Sequence, residues 1–137
     1  MDFHLLAVGD VVADGGLDCL RRHLRPLQKT YDVHFTVVNG ENAAGLGLLP
    51  HHAEEIFAAG ADVITLGNHT WNRIQIADFL EDDRYTLRPA NYTSRVPGRG
   101  WAYMRDPEGC GSECSISSDG ARWTATLITP LRWLTGG

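Results

Sequence analysis

The stretch that decides the fold is Val63-Ile64-Thr65-Leu66-Gly67-Asn68-His69-Thr70-Trp71-Asn72, in which an apolar, β-branched run stops at a glycine before an amide and an imidazole. Two earlier stretches end in the same way: Leu5-Leu6-Ala7-Val8-Gly9-Asp10 and Phe35-Thr36-Val37-Val38-Asn39-Gly40-Glu41-Asn42. Apolar runs of this kind are typical of strands covered on both faces. We interpret them as neighbouring strands of one parallel sheet, whose ligands bind beyond the carboxyl ends of the strands.

Helical periodicity between these runs predicts alternating strands and helices. Leucines recur at helical spacing over residues 17–27, where Pro26 predicts a kink or a break. A second helix begins at Pro50 and ends at Gly60, a third is marked by apolar residues over 76–80 and ends in the acidic residues 81–83, and residues 39–47 are predicted to form a loop. The strands are predicted over residues 3–8, 33–38, 62–66, 85–87, 101–104 and 123–129. The class is therefore α/β, with a largely parallel sheet flanked by helices.

Length and composition limit the class of protein. A chain of 137 residues has room for one domain. A net charge of −5 argues against stable nucleic-acid binding but leaves a nucleotide substrate open, because metals can supply positive charge locally. Three scattered cysteines indicate reduced thiols, and the amino terminus has neither a basic segment nor a long apolar run. We therefore expect a cytoplasmic protein without a signal peptide or membrane span.

Polar residues follow the first two strands. Asp10 would offer a cation a hard oxygen ligand, and Glu41 could bridge two metals because each carboxylate oxygen can bind one. The structural alternatives are that Asp10 caps the following turn and that the asparagines and glycine around Glu41, including Asn42, are turn formers. Taken one at a time, both clusters favour the structural alternative.

Asn68 and His69 form the sharpest signal. An amide oxygen can ligate a metal, and an imidazole can protonate a leaving alkoxide or ligate a metal itself. A lone histidine is more often a surface or core residue, but this one follows a buried strand on the same edge as the two other clusters. The functional interpretation is therefore favoured for the pair. Zinc binding at Cys110 and Cys114 is not expected, since no second pair of ligands accompanies them.

Four sequence blocks together resemble the YmdB-like family of calcineurin-type metallophosphoesterases. The blocks are Gly9-Asp10-Val11-Val12, Asn39-Gly40-Glu41-Asn42-Ala43-Ala44-Gly45, Thr65-Leu66-Gly67-Asn68-His69-Thr70-Trp71 and Leu87-Arg88-Pro89-Ala90-Asn91-Tyr92. The resemblance runs in order over residues 3–103. It implies the N-terminal half of a four-layer αββα fold, and a dimetal-dependent phosphodiesterase that hydrolyses 2′,3′-cyclic or 3′,5′-cyclic nucleotides.

The resemblance also implies a role for each site residue. Asp10 would hold one metal and Glu41 would bridge both. Asn42 and Asn68 would complete this half of the cluster, and His69 would be the general acid that protonates the leaving oxygen. The implied metals are two divalent ions, iron or manganese, with a metal-bound hydroxide attacking phosphorus in line. The implied partner is a small phosphodiester or cyclic nucleotide, and the oligomeric state is left open.

The sequence departs from the family after its motifs. The family completes its metal cluster with histidines from the carboxyl-terminal half of the fold, whereas no histidine follows His69 here. We therefore predict a metallophosphoesterase N-terminal portion, residues 1–108, and a divergent tail, residues 109–137. Intact motifs before an abrupt loss of pattern favour a truncated or frame-shifted product over a genuine short form. A half-built cluster should bind metal weakly, so activity is expected to be impaired. The alternatives are an inactive remnant and an interaction module that pairs through a sheet edge.

Overall fold

The structure is a computed structural model that describes residues 4–105, 111–118 and 123–128, with side chains described for residues 4–102. Four strands form a parallel sheet in the order β1-β2-β3-β4: Leu5–Val8, Phe35–Asn39, Val63–Thr65 and Thr86–Leu87. Three helices connect them: α1 (Ala13–Thr30), α2 (Pro50–Ala59) and α3 (Ile76–Asp82). The predicted α/β class is confirmed. The predicted strand start at Phe3 lies outside the described residues.

All three helices lie on one face of the parallel sheet. Val8, Val38 and Ile64 stand in register across β1, β2 and β3 and point to this face. They share one apolar core with residues from each helix, among them Leu17, Leu24, Ile56, Ile76 and Leu80. Burial of this face fixes the orientation of the sheet. Because β1, β2 and β3 are parallel, the loops that follow them leave the sheet at the same edge.

On the opposite face, the described residues cover the sheet only towards β4. Val37, Val63 and Leu87 share a second core with Ala102, which belongs to the strand that follows. At the β1 end of this face Ala7 is exposed. The expectation that β1 is covered on both faces is therefore wrong, since none of the described residues covers Ala7 on this face.

Three further strands form an antiparallel sheet: β5 (Trp101–Arg105), β6 (Gly111–Ser118) and β7 (Trp123–Ile128). The sequence predicts β5 and β7 but not β6, whose serine- and glycine-rich sequence has low strand preference. Pairing to a neighbour on each side supplies the hydrogen bonds that stabilise β6. Thr129 and Cys110 lie outside the described residues, and the division of the chain at residue 108 stays a prediction.

Helices α1 and α2 each contain a proline, which has a different position in the two helices. Helix α1 runs through Pro26 to Thr30, so the predicted break is absent. Pro26 has no N–H to donate to the carbonyl of Arg22, four residues earlier. Both residues lie on the exposed side of the helix, where water can replace the lost hydrogen bond. Helix α2 begins at Pro50 and is followed by Gly60 at φ 128°, as predicted.

No helix in the described part of the chain is long and apolar enough to cross a membrane.

Candidate functional site

The five predicted site residues lie at one edge of the parallel sheet and line a single open cavity of about 590 Å³. They come from three separate loops, and the cavity opens on the sheet face that carries no helix. The residues are Asp10 after β1, Glu41 and Asn42 after β2, and Asn68 and His69 after β3. The volume is in the range of small-molecule sites. The structure thus brings all five together, while the roles assigned to them stay predictions.

A chain of hydrogen bonds links three of these side chains. The amide Nδ2 of Asn42 donates to Oδ1 of Asp10 at 2.7 Å. Nδ1 of His69 lies 2.9 Å from Oδ1 of Asn42, and since a carbonyl oxygen only accepts, the imidazole donates there. The neutral ring then carries its proton on Nδ1 and leaves Nε2 free as the second ring nitrogen. Asn42 therefore fixes both the carboxylate and the imidazole.

The carboxylate of Glu41 lies directly over Gly67. A Cβ added at Gly67 would be 2.7 Å from both Cδ and Oε1 of Glu41, well inside ordinary contact. The same carboxylate lies close to His69, with Oε2 3.5 Å from the backbone nitrogen and 3.8 Å from Nδ1 of that residue. Only glycine at this position leaves room for Glu41 beside His69.

The loop after β1 has an unusual backbone. Asp10 has a backbone φ of 38° and Ala13 one of 50°, a region that residues other than glycine seldom adopt. Two backbone bonds hold this loop to the loop after β2, from the nitrogen of Val11 to the oxygen of Asn39 and from the nitrogen of Ala13 to the oxygen of Asn42, both 3.1 Å. Strain of this kind persists only where surrounding contacts enforce it, and here it places Asp10 against Asn42.

Arg73 joins the loops after β2 and β3 by hydrogen bonds, and it was not predicted from the sequence. Its Nε donates to the carbonyl of Leu46 at 3.0 Å and its Nη2 to the carbonyl of Ala44 at 2.9 Å. Gly47 leaves space for it, since an added Cβ there would be 2.9 Å from Cγ of Arg73. Arg73 is therefore a positioning residue that holds the loop of Glu41 against the loop of His69. No motif in the sequence signals it.

Asn39 is a second residue whose role was missed. The sequence predicts Asn39 to be a turn former in a loop, but it is the last residue of β2. Its side chain is 7% exposed and lines the cavity, and neither its amide oxygen nor its amide nitrogen has a hydrogen-bond partner. A buried amide without partners is costly, so this one is available to a ligand. Its alternation with Phe35 and Val37 along β2 is the signal that could have revealed it.

The donor set of the cavity fits a divalent cation. Two carboxylates, three amide oxygens and one imidazole form an oxygen-rich set of the kind that manganese accepts. Within the residues that the structure describes, no three His, Cys, Asp or Glu side chains are placed to hold an ion without other ligands. Asp10 reaches the pair of Glu41 and His69 only through Asn42. The amides would therefore have to share in holding any ion here.

Comparison with known proteins places these features in a family. A sequence model of the YmdB-like protein family matches residues 6–116. The chain is 42% identical over 102 residues to the 2′,3′-cyclic-nucleotide 2′-phosphodiesterase of Bacillus subtilis strain 168, an alignment that covers 74% of this chain and 39% of that protein.

Two solved structures resemble the fold. A hypothetical protein from Thermus thermophilus matches with a TM-score of 0.74 and 31% identity over 82% of this chain and 44% of the other. A phosphatase from Mycoplasma pneumoniae matches with a TM-score of 0.73 and 22% identity over 93% of this chain and 47% of the other, which supports the fold alone. The chain spans less than half the length of each of these relatives.

Proposed function

Because this chain belongs to the YmdB-like protein family, we propose that it hydrolyses the phosphodiester of a 2′,3′-cyclic or 3′,5′-cyclic nucleotide with the help of two divalent cations. One observation carries the proposal. The hydrogen-bonded series Asp10, Asn42 and His69 lies beside Glu41 in one cavity at the carboxyl edge of the sheet. The name of the Bacillus subtilis relative supports the 2′,3′-cyclic substrate. A cytoplasmic location belongs to the same proposal.

Four side chains would hold the cations in this proposal. Asp10 and Glu41 supply the negative charge, and the amide oxygens of Asn42 and Asn68 add neutral ligands. Manganese and iron suit a set of oxygen donors with an adjacent imidazole. When bound, such cations neutralise charge on the phosphoryl oxygens and lower the pKa of a coordinated water.

His69 would protonate the leaving ribose oxygen. Its Nδ1 is engaged by Asn42, which fixes the ring plane and turns Nε2 to the free side of the ring. The side chain is 30% exposed and lines the cavity, so a substrate oxygen can reach the ring. In the protonated state Nε2 carries the proton that the leaving alkoxide needs. The apolar wall formed by Leu5, Ala7 and Val37 would lie along the ribose and base.

A second candidate is a module that binds metal weakly and has no turnover. Its support is the shortage of strong ligands in the described part of the chain, where no three His, Cys, Asp or Glu side chains converge. The two candidates differ in what they predict for metal stoichiometry.

Hydrolysis of 2′,3′-cyclic AMP with added manganese tests the proposal. We expect turnover above a metal-only blank, and a loss of about a hundredfold or more in His69→Ala because a general acid contributes on that scale. His51→Ala, at an exposed position on α2, is the matched control and should keep wild-type activity. No turnover above the blank, or equal rates in His69→Ala and wild type, would contradict the enzyme. Calorimetric binding of two manganese equivalents, weakened by Glu41→Gln, would contradict the inactive module.

A further inference from the structure

A second cavity, of about 640 Å³, lies beside β4 and is lined by positively charged and aromatic side chains. Three arginines and three aromatic residues line it: Arg84, Arg88, Arg99, Tyr85, Tyr92 and Trp101. None of its lining residues is acidic, although the whole chain carries a net charge of −5. It shares no lining residue with the cavity of Glu41 and His69. The cavity is therefore a separate, locally cationic surface.

Arg88 is the unusual residue of this cavity. It is 6% exposed, and its Nη1 donates to the carbonyl of Pro89 at 3.0 Å. Its Nε is buried and has no hydrogen-bond partner, and no carboxylate of the described residues pairs with it. A buried cation with an unmet donor is unfavourable unless something pairs with it. An anion in the cavity would supply both the charge and the acceptor.

The cavity is built on a fixed frame. The backbone nitrogen of Arg88 donates to the backbone oxygen of Arg99 at 2.9 Å, which sets these two residues side by side. Gly100 lies against Ala90, where an added Cβ would be 2.8 Å from Cβ of Ala90, so the two walls approach as closely as they can. Two of the three cations therefore project from paired backbone, which lowers the ordering cost of binding an anion.

The aromatic rings add a surface for a planar group. Tyr85, Tyr92 and Trp101 are 40%, 38% and 59% exposed, which is high for side chains of this size. The ring of Tyr92 is held edge-on by Trp71, with ring centres 4.8 Å apart and planes at 87°. Exposed rings beside arginines are the arrangement on which nucleobases stack next to their phosphates.

We propose that this cavity binds a nucleoside monophosphate, with the three arginines on the phosphate and the aromatic rings on the base. The volume accommodates a ligand of this size. Binding here needs no metal and does not depend on the proposed catalytic function. The ligand pairs with the guanidinium of Arg88 and compensates its buried charge.

Calorimetric titration of the whole chain with AMP in the presence of EDTA tests the proposal, because EDTA removes metal-dependent binding at the other cavity. We expect saturable binding with a Kd on the order of 1 mM or tighter, and binding of adenosine or inorganic phosphate that is about tenfold weaker or more, since each lacks half of the contacts. Absence of saturable AMP binding would overturn the proposal.

Variants assign the binding to the cavity. Arg84→Gln and Arg99→Gln, both at exposed positions, should each weaken AMP binding about tenfold, because each removes a charged donor to phosphate. Arg22→Gln on α1 is the matched control and should bind like wild type. Arg88→Met should abolish AMP binding while the thermal midpoint stays equal or rises, because an unpaired buried charge is removed. A residue with only a structural role would lower the midpoint instead.

Two results would overturn the assignment. AMP binding that is unchanged in Arg88→Met and Arg99→Gln, or lost in His69→Ala, would place AMP elsewhere. A single-stranded RNA hexamer that binds about tenfold more tightly than AMP, through the same arginines, would replace the mononucleotide by a nucleic acid. Equal AMP binding by His69→Ala and wild type supports two separate sites.

Discussion

Replacing Gly67 with alanine separates the geometry of the proposed metal site from the stability of the fold. The φ of Gly67 is not positive, so alanine suits the backbone there. The added Cβ would lie closest to Oε2 of Glu41 and 2.7 Å from its Cδ, whereas ordinary contact begins at 3.4 Å, so the carboxylate must retreat by about 1 Å. The clash falls on the free end of a flexible side chain, and the backbone need not move.

The magnitude follows from that displacement. A misplacement of about 1 Å in a reacting constellation can cost about a hundredfold in rate. For Gly67→Ala we expect kcat to fall about 10- to 100-fold and manganese affinity to fall by about tenfold. The free energy of unfolding should change by less than about 1 kcal/mol, because a rotamer change of Glu41 relieves the overlap.

Three measurements on the same preparation test this prediction: hydrolysis of 2′,3′-cyclic AMP, calorimetric titration with manganese, and thermal unfolding. Gly15→Ala is the matched control, because an added Cβ in that part of α1 meets nothing within 4 Å. It should stabilise the fold by about 0.5–1 kcal/mol and leave manganese binding unchanged. Glu41→Asp should cost less in the Gly67→Ala background than in wild type, since the shorter side chain avoids the new methyl group.

Two outcomes would refute the reasoning. If Gly67→Ala binds manganese as tightly as wild type and turns over at the same rate, the position of the Glu41 carboxylate does not matter to the site. If the variant loses several kcal/mol of stability, the overlap is relieved by the backbone, and the assumed freedom of the Glu41 side chain is wrong.

Three further changes test the supports of the site and the fold. Arg73→Lys should lower kcat about tenfold, since lysine cannot bond both carbonyls of the loop after β2, and steady-state kinetics measure it. Asn39→Leu should keep or raise the midpoint of thermal unfolding, because it removes a buried unpaired amide. Burial raises the pKa of Asp62, so the folded state holds that proton more tightly than the unfolded chain. Its contribution to stability is full below the ordinary pKa of 3.8 and is lost as the pH rises through the raised value. Asp62→Asn, which can still accept the bond from the nitrogen of Thr36, should remove this loss in thermal melts between about pH 3 and pH 7.

The local sequence was enough to predict the parallel sheet, since each apolar strand is followed directly by glycine and polar residues. Apolar runs that stop at Gly9 and Gly67 mark both the ends of strands and the edge where the loops meet. Two features depended on distant residues instead. The exposure of Ala7 is decided by what packs on the open face of the sheet, and β6 forms because it pairs with a strand on each side. Neither piece of information is present in the local sequence.

The same division applies to the candidate site. The position of His69 beside Glu41 could be predicted because parallel strands bring their carboxyl ends together. Arg73 could not be predicted, because its partners are carbonyls of another loop, and backbone carbonyls carry no sequence signal. Arg88 belongs to a block that resembles the family, but its burial and unmet donor are visible only in three dimensions.

The two hydrogen bonds of Asn42 explain why an asparagine, and not an aspartate, suits position 42. Asn42 donates to Asp10 at 2.7 Å and accepts from His69 at 2.9 Å, and only a group with both a donor and an acceptor can do so. An aspartate there would place two carboxylate oxygens 2.7 Å apart and would have to hold a proton. The amide also leaves Asp10 and Glu41 as the two negative charges of the proposed site. Two divalent cations would then keep a net positive charge, and that charge attracts a phosphodiester anion.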